Sequence, residues 1–271
     1  MKKINLNKVE HNVKVGQECG DFEPNITEDC IFYEDGKAVG FFIKEISGKL
    51  KDYIEIANKE FRSKNVPKAM MDRSDVVRKA QELGVSNKEI FKSGNGCSQY
   101  STIIGSIPPK PLVRRPYPSI SSVHNVPSAK TFIKAMLLAC KEAEKIVKEI
   151  LPDQYELQKK LINENVPKEF QFGELFTSSI SNYNIPAPFH RDAGNIEGCV
   201  NVIITKKNDA TGGNLHVPDY NATMDSRNNS MLVYPAWKNV HGVTPIVPTK
   251  KDGYRNSLIF YPLKAFKKYV K

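Results

Sequence analysis

Apolar residues follow two different spacings along this chain, and the change comes near residue 169. Across residues 128–150 they recur every three to four positions, which predicts a long amphipathic helix capped by Ser128. Residues 50–61 predict a second helix. Residues 30–46 carry apolar and aromatic β-formers on both sides of Asp35-Gly36, which predicts a β-hairpin. The N-terminal part is therefore expected to consist of helices and a hairpin.

Beyond residue 169 the pattern changes to short β segments, separated by turn signals such as Thr211-Gly212-Gly213 and Asp252-Gly253. Several short strands at this spacing are typical of a jelly roll. The predicted fold class is therefore α+β, with a jelly-roll, cupin-like core supported by N-terminal helices and the hairpin. The predicted strands are residues 175–183, 198–205, 214–217, 230–235, 242–247 and 255–262.

Glycine, serine and proline are frequent in residues 93–127. Pro108-Pro109-Lys110-Pro111 and Arg114-Arg115-Pro116 exclude a regular helix or a central strand at those positions. We expect a long irregular loop here, preceded by a short helix at residues 74–84. Because long loops inside compact domains are usually functional or disordered, this one is predicted to form the rim of a site.

The length of 271 residues predicts one domain. We expect residues 1–169 to supply the support and a substrate loop, residues 170–263 the jelly-roll core, and residues 264–271 a basic tail. No apolar run approaches the roughly 18 to 20 residues that span a bilayer, and no secretory signal is visible, so a cytoplasmic or nucleoplasm-type location is expected. The five cysteines lack CxxC spacing, which argues against a disulfide framework and a structural zinc site.

The formal net charge of +10 favours polyanionic partners such as nucleic acids, because a basic surface attracts phosphates. Charge alone is weak support, since small basic proteins without nucleic-acid partners are common. The basic tail could touch phosphates or could be a solvated terminus.

A candidate metal site begins with His190 and Asp192, which project to one side if the backbone is locally extended. With five histidines and 30 acidic residues in the chain, about 0.5 such His-x-acid pairs are expected by chance, so this pair alone is weak support for a metal site. His241, placed after several predicted strands, strengthens it. Two histidines and one carboxylate occupy one face of an octahedral Fe(II) and leave positions open for a bidentate co-substrate and dioxygen.

Arg255 follows His241 by fourteen positions and heads an apolar strand on which Ser257 shares its face. A guanidinium can hold the distal carboxylate of 2-oxoglutarate through two parallel hydrogen bonds, and a hydroxyl two residues on can add a third. A salt bridge at the rim is the alternative for Arg255.

His190-x-Asp192, His241 and Arg255-x-Ser257 together resemble the double-stranded β-helix superfamily of Fe(II)/2-oxoglutarate dioxygenases across residues 170–263. Within that superfamily the chain is similar to the TET/JBP branch, which hydroxylates methylated pyrimidine bases in nucleic acids and includes phage-encoded members. The stretches that carry the branch resemblance are Gly212-Gly213-Asn-Leu-His-Val-Pro-Asp-Tyr220, His241-Gly-Val-Thr-Pro-Ile246 and Gly105-Ser-Ile-Pro followed by Arg114-Arg115.

The resemblance implies an enzyme that binds Fe(II) on His190, Asp192 and His241 and uses 2-oxoglutarate and O2 as co-substrates. It also implies an upstream arginine that reaches 2-oxoglutarate, and the sequence leaves Arg114 and Arg115 as equal candidates. Asn182 could contact co-substrate or substrate, or it could be a strand residue that faces the core.

The expected activity is hydroxylation of the 5-methyl group of 5-methylcytosine or thymine in DNA, with the base flipped or single-stranded. The residues expected to contact substrate are Tyr100, Arg114, Arg115 and Tyr117. The alternative is a protein side-chain (prolyl or lysyl) or small-molecule hydroxylase of the same superfamily. The oligomeric state stays open.

Overall fold

The structure is a computed structural model that describes residues 1–70, 80–86, 99–110 and 115–270. Within these ranges the strands form a ten-stranded sheet, a four-stranded sheet and a two-stranded ladder. The longer helices are α1 (Gly48–Arg62), α2 (Lys130–Ile150) and α3 (Pro152–Asn165). The strands are β1 (Lys2–Asn5), β2 (Cys30–Glu34), β3 (Lys37–Ile43), β4 (Ala69–Met70), β5 (Tyr100–Ile107), β6 (Ser119–Ile120), β7 (Ser178–Tyr183), β8 (Ala187–His190), β9 (Asn201–Asn208), β10 (Ala210–Gly212), β11 (Leu215–Val217), β12 (Ala222–Met224), β13 (Met231–Tyr234), β14 (His241–Val243), β15 (Ile246–Pro248) and β16 (Tyr254–Tyr261).

The large sheet has the order β1-β2-β3-β13-β9-β16-β7-β5-β4, with β6 paired to β5. Only β1 and β2 are parallel among its pairs, and the others are antiparallel. The small sheet has the order β12-β11-β14-β8, and β10 pairs with β15. This combination of large antiparallel sheets with helices agrees with the predicted α+β class.

The two faces of the large sheet are covered by different partners. Leu258 and Phe260 of β16 point to one face and are fully buried with residues of α1 and α2 such as Phe61 and Met136. On the other face, Leu232 of β13 packs against residues of the small sheet. Because side chains alternate along a strand, Arg255, Ser257 and Ile259 of β16 point away from the helices, into the space beside the small sheet.

The predicted hairpin and the predicted helices at residues 50–61 and 128–150 are confirmed as β2–β3, α1 and α2. The predicted cap is wrong: Ala129 occupies the N-cap position of α2, and the hydroxyl of Ser128 donates a hydrogen bond to the carbonyl of Asn65 at 2.7 Å. A 3-10 turn at Pro127–Ala129 leads into the helix and takes the place of the cap.

The prediction of an irregular loop across residues 93–127 is wrong at residues 100–107. β5 lies there and pairs with β7 over six residue positions. Its β-branched residues Thr102, Ile103 and Ile104 favour a strand, and Pro108-Pro109 ends that strand because proline cannot donate to a sheet ladder. Most of the predicted helix at residues 74–84 lies outside the described residues.

The expected boundary at residue 170 does not interrupt the large sheet, because β1 to β5 belong to the same sheet as β7, β9, β13 and β16. At the other end, residues Lys264–Tyr269 of the basic tail form a 3-10 helix. Phe266 is fully buried there and packs near Ile162 and Cys199. No helix within the described ranges has the length and apolar character needed to cross a bilayer.

Candidate metal centre and co-substrate pocket

The two histidines of the predicted metal site face each other across paired strands. His190 ends β8, His241 begins β14, and the two residues are direct partners in the small sheet. Asp192 follows two positions after His190. The Asp192 Oδ1 atom lies 3.5 Å from His190 Nε2 and 4.0 Å from His241 Nε2. One ligand atom from each residue lies within 4.8 Å of the other two, which is close enough for all three to bind one ion.

Hydrogen bonds behind the three side chains orient their ligand atoms. The Nδ1 atom of His190 is 2.8 Å from the carbonyl of Pro188, and that of His241 is 3.1 Å from the carbonyl of Asn239. A carbonyl can only accept, so each Nδ1 carries the proton and each Nε2 presents its lone pair to the site. Second-sphere contacts of this kind fix the tautomer of metal-binding histidines.

The carboxylate of Asp192 is oriented in the same way. Asn201 on β9 donates from Nδ2 to Asp192 Oδ2 at 2.9 Å, and Asn195 donates to the side-chain oxygen of Asn201 at 2.8 Å. The bond to Oδ2 leaves Oδ1 turned toward the two histidines. The two amides therefore hold Oδ2 of Asp192 by hydrogen bonding and leave Oδ1 free to face the two histidines.

Charge and burial set the protonation of the ligands. Burial, followed by the nearby His190, lowers the pKa of His241 to about 4, so this imidazole is neutral near pH 7. The contact with the Asp192 carboxylate raises the pKa of His190. Burial works against ionisation of Asp192, but its contacts with His190 and His241 hold its carboxyl pKa below the usual range. The site thus combines a carboxylate with imidazole nitrogen donors.

A cavity of about 520 Å³ opens beside these ligands. Arg255 lines it and is only 3% exposed. Its Nε atom has no hydrogen-bond partner, and no carboxylate within the described residues forms an ion pair with it. Because a buried unpaired charge is costly, this guanidinium fits a cavity that receives an anionic ligand.

Ser257 and Asn182 stand next to Arg255 on the same wall. They are direct partners across β16 and β7, and both line the cavity. A hydroxyl and an amide therefore accompany the guanidinium, and the wall can hold a carboxylate with several donors. The donor set of two imidazoles and one carboxylate, with this wall nearby, fits Fe(II) with a dicarboxylate co-substrate.

The position of Arg255 depends on a glycine corner. Gly213 has φ +70°, and a Cβ built there would lie 3.1 Å from Cγ, Cδ and Nε of Arg255. The neighbouring Gly212 carbonyl accepts a hydrogen bond from Lys207 Nζ at 2.7 Å. Lys207 is also the strand partner of Arg255. Burial, followed by the charge of Arg255, lowers the pKa of Lys207 to about 8.

Among the described residues, the other predicted site residues do not line this cavity. Arg114 lies outside the described residues. Arg115 lines a different cleft, at the edge of the large sheet. Tyr100 lies on the helix side of the sheet, where its ring stacks on Tyr183 with centroids 4.4 Å apart and meets Phe61 at 5.3 Å. Tyr117 is on the surface, with 72% of its area exposed.

Two aromatic residues of the cavity were not identified from the sequence. Tyr234 of β13 and Tyr261 of β16 both line the cavity, and the ring of Tyr234 meets that of His241 edge-on at 5.4 Å. The Tyr234 hydroxyl is buried without a partner. Alternation along β16 places Tyr261 on the face of Arg255 and could have identified it. Tyr234 had no such signal, because it lies within a run of apolar strand residues.

Comparison of the chain with known proteins identifies the family to which its sequence is similar. Residues 113–264 match the Tet/JBP family model, described as the oxygenase domain of the 2OGFeDO superfamily. No curated protein sequence matches the chain.

Several solved structures overlap with the chain at low sequence identity. The structure of NgTET1 in complex with 5mC DNA has 13% identity and a TM-score of 0.46, covering 94% of this chain and 84% of that one. OsALKBH1 has 14% identity and a TM-score of 0.39, covering 82% and 96%. A 2OG-Fe(II) oxygenase family oxidoreductase from Burkholderia pseudomallei has 13% identity and a TM-score of 0.37, covering 82% and 94%.

The family match spans more than half of the chain, and it includes the cluster of His190, Asp192 and His241 and the buried guanidinium of Arg255. The chain therefore belongs to the Tet/JBP family of the 2OGFeDO superfamily and is an oxygenase that uses Fe(II), 2-oxoglutarate and O2.

Proposed function

We propose that this oxygenase hydroxylates the 5-methyl group of a pyrimidine base, 5-methylcytosine or thymine, in DNA. In this proposal His190, Asp192 and His241 hold Fe(II), and Arg255, Ser257 and Asn182 hold 2-oxoglutarate. The two facing sheets form the jelly-roll core that carries both sets of residues. The observation that carries the proposal is the buried, unpaired Arg255 on one wall of the cavity that contains the three clustered ligands.

Bound iron, O2 and 2-oxoglutarate together supply the oxidation, in which a C–H bond becomes C–OH while the co-substrate gives succinate and CO2. The chain's own residues hold and orient these components. The carbonyls of Pro188 and Asn239 fix the histidine rings, and Asn201 fixes the carboxylate of Asp192. A preformed site of this kind lowers the cost of positioning the reacting groups.

The donors for the co-substrate lie on one wall of the cavity, on β16 and β7. Arg255 there is buried, whereas the side chains of His190 and Asp192 are 38% and 33% exposed. The partly open side of the metal site is therefore the side from which a substrate can approach. A carboxylate held by Arg255 would leave this approach free.

Two observations favour a nucleic-acid substrate. The chain belongs to the Tet/JBP family, and its resemblance to that family implies oxidation of methylated pyrimidines. Its net charge of +10 favours a polyanionic partner. A base paired in a duplex cannot enter a cavity of this kind. The target base therefore has to be flipped out or presented in a single strand.

The test is incubation of the purified protein with Fe(II), 2-oxoglutarate and DNA that contains 5-methylcytosine or thymine. Nucleosides are then analysed by mass spectrometry, and succinate is measured in parallel. We expect a hydroxymethyl nucleoside with the wild type and none with Asp192→Ala. Succinate formation stimulated by a peptide or small molecule, with no oxidised nucleoside from DNA, would instead support the protein or small-molecule hydroxylase.

A further inference from the structure

A second cleft, of about 470 Å³, lies at the outer edge of the large sheet. Two short strands pair with the outer edge of β5: β4 pairs near Ser101 and β6 pairs near Ile107. The cleft lies along β5 between these two strands. Arg115 lines this cleft, as do Ser119 and Ser122. We call it the β5–β6 cleft.

Part of the β5–β6 cleft lies on the same face of the sheet as the metal cavity. Ser101 in the cleft is the direct strand partner of Asn182 in the cavity, and Ile103 in the cleft is the partner of Ile180 in the cavity. Direct partners in an antiparallel pair point to the same face, and neighbouring strands are about 4.8 Å apart. A chain-like substrate that leaves the metal cavity across β7 therefore meets this cleft next.

The chemistry of the β5–β6 cleft suits an anion. The Nε atom of Arg115 is buried without a hydrogen-bond partner, and Arg115 forms no ion pair within the part of the chain that the structure describes. Its backbone is fixed by two hydrogen bonds with Lys110, at 2.6 and 3.1 Å. The hydroxyls of Ser119 and Ser122 also have no partner among the described residues and can donate to an oxyanion.

An exposed aromatic residue follows this cation closely in the chain. Tyr117 follows Arg115 by two positions and is 72% exposed. The intervening Pro116 is held in place, because its carbonyl accepts a hydrogen bond from Tyr269 Oη at 3.2 Å. Proteins bind single-stranded nucleic acid with basic and exposed aromatic side chains together, where the cation meets the phosphate and the ring stacks on a base.

We propose that the β5–β6 cleft binds the strand that flanks the target base, with Arg115 on a phosphate and Tyr117 stacked on a neighbouring base. This rests on the proposed function and assigns Arg115 to substrate, not to 2-oxoglutarate. The cleft thus extends the substrate site beyond the metal cavity by one strand of the sheet.

The test measures binding of a fluorescent single-stranded oligodeoxynucleotide by anisotropy at a series of salt concentrations. Arg115→Gln should weaken binding and reduce the slope of log K against log salt by about 0.7, the value for one phosphate contact on a single strand. Tyr117→Ala should weaken binding about tenfold with the slope unchanged, because stacking is not ionic. Lys141→Gln removes the same charge from an exposed position on α2, across the sheet, and should leave the slope unchanged.

A second measurement, the affinity for 2-oxoglutarate in the presence of Fe(II), separates the two roles of Arg115. We expect it to be the same in Arg115→Gln as in the wild type, which also shows that the variant is folded. The proposal is overturned if the wild type does not bind the oligonucleotide, if the slope does not change in Arg115→Gln, or if that variant loses 2-oxoglutarate. Oligonucleotide binding that depends on Arg115, without any oxidised nucleoside, would support the binding role of the β5–β6 cleft and contradict the proposed reaction.

Discussion

At the scale of single residues, the histidine Nε2 atoms are available because carbonyl oxygens bind the Nδ1 atoms. This arrangement could be predicted only in part. The sequence shows His190, Asp192, His241 and Arg255 because few residue types can bind a metal or a dicarboxylate. It does not show that Asn201 supports Asp192, since this contact requires β9 to pass beside the loop after β8.

The contacts of Gly213 and Lys207 around Arg255 could not be predicted from the sequence either. Both contacts arise from strand pairing and from a glycine corner, and neither has a chemical signature in the sequence. Tyr234 reaches the metal cavity in a comparable way, from a strand that otherwise consists of buried apolar residues.

Gly213→Ala tests whether the glycine corner sets the position of Arg255. The new Cβ would lie 3.1 Å from three side-chain atoms of Arg255, and φ +70° is unfavourable for alanine, so the guanidinium should shift. We expect the Kd for 2-oxoglutarate to rise roughly tenfold, with Fe(II) affinity unchanged, by isothermal titration calorimetry.

Gly20→Ala is the control for that substitution. Its added Cβ would meet two ring carbons of Phe22 at 3.6 and 4.0 Å, which are ordinary contacts, and both affinities should stay at wild-type values. Equal 2-oxoglutarate affinity in Gly213→Ala and the wild type would show that the corner does not position Arg255.

At the scale of elements, long periodic segments were predictable and short ones were not. The apolar face of α2 repeats over 21 residues, so its existence follows from spacing alone. Strands β8, β10 and β12 have three or four residues each, too few for an alternating pattern. They form because the neighbouring strands offer partners, which the sequence does not reveal.

A buried carboxylate connects α2 to the segment that leads into β7. The side chain of Glu144 accepts hydrogen bonds from the backbone N–H groups of Glu174 and Leu175, at 2.7 and 2.9 Å. Gly173 is needed beside it, because a Cβ there would lie 2.3 Å from Glu144 Oε1. Burial raises the pKa of Glu144 from 4.5 to about 7.

This shift predicts how stability depends on pH. The folded protein holds the Glu144 proton more tightly than the unfolded chain, so the contribution is complete below about pH 4.5 and is lost as the pH rises through about 7. The loss amounts to about 3 kcal/mol in the free energy of unfolding, measured by urea denaturation between pH 4.5 and 8. Glu144→Gln should remove this part of the pH dependence.

Glu149→Gln, at an exposed position on the same helix, is the matched control and should keep the wild-type profile. If the wild type and Glu144→Gln show the same change in stability over this pH range, Glu144 is not the group that titrates.

At the scale of the whole molecule, the N-terminal part completes the sheet on which the site is built. β5 lies directly beside β7, whose residues Ile180 and Asn182 line the metal cavity. The sequence predicted a loop at this edge because prolines follow the strand closely. Its β-branched residues Thr102, Ile103 and Ile104 favour a strand, but its pairing with β7 is a property of the fold and not of the segment.

The most direct test of the iron site is an anaerobic titration with Fe(II) and 2-oxoglutarate, followed by visible absorption. The wild type should develop the metal-to-2-oxoglutarate charge-transfer band, Asp192→Ala and His241→Ala should lack it, and Arg255→Gln should need a much higher 2-oxoglutarate concentration to reach it. The absence of the band in the wild type, or an undiminished band in Asp192→Ala, would contradict the assignment of His190, Asp192 and His241 as the iron ligands.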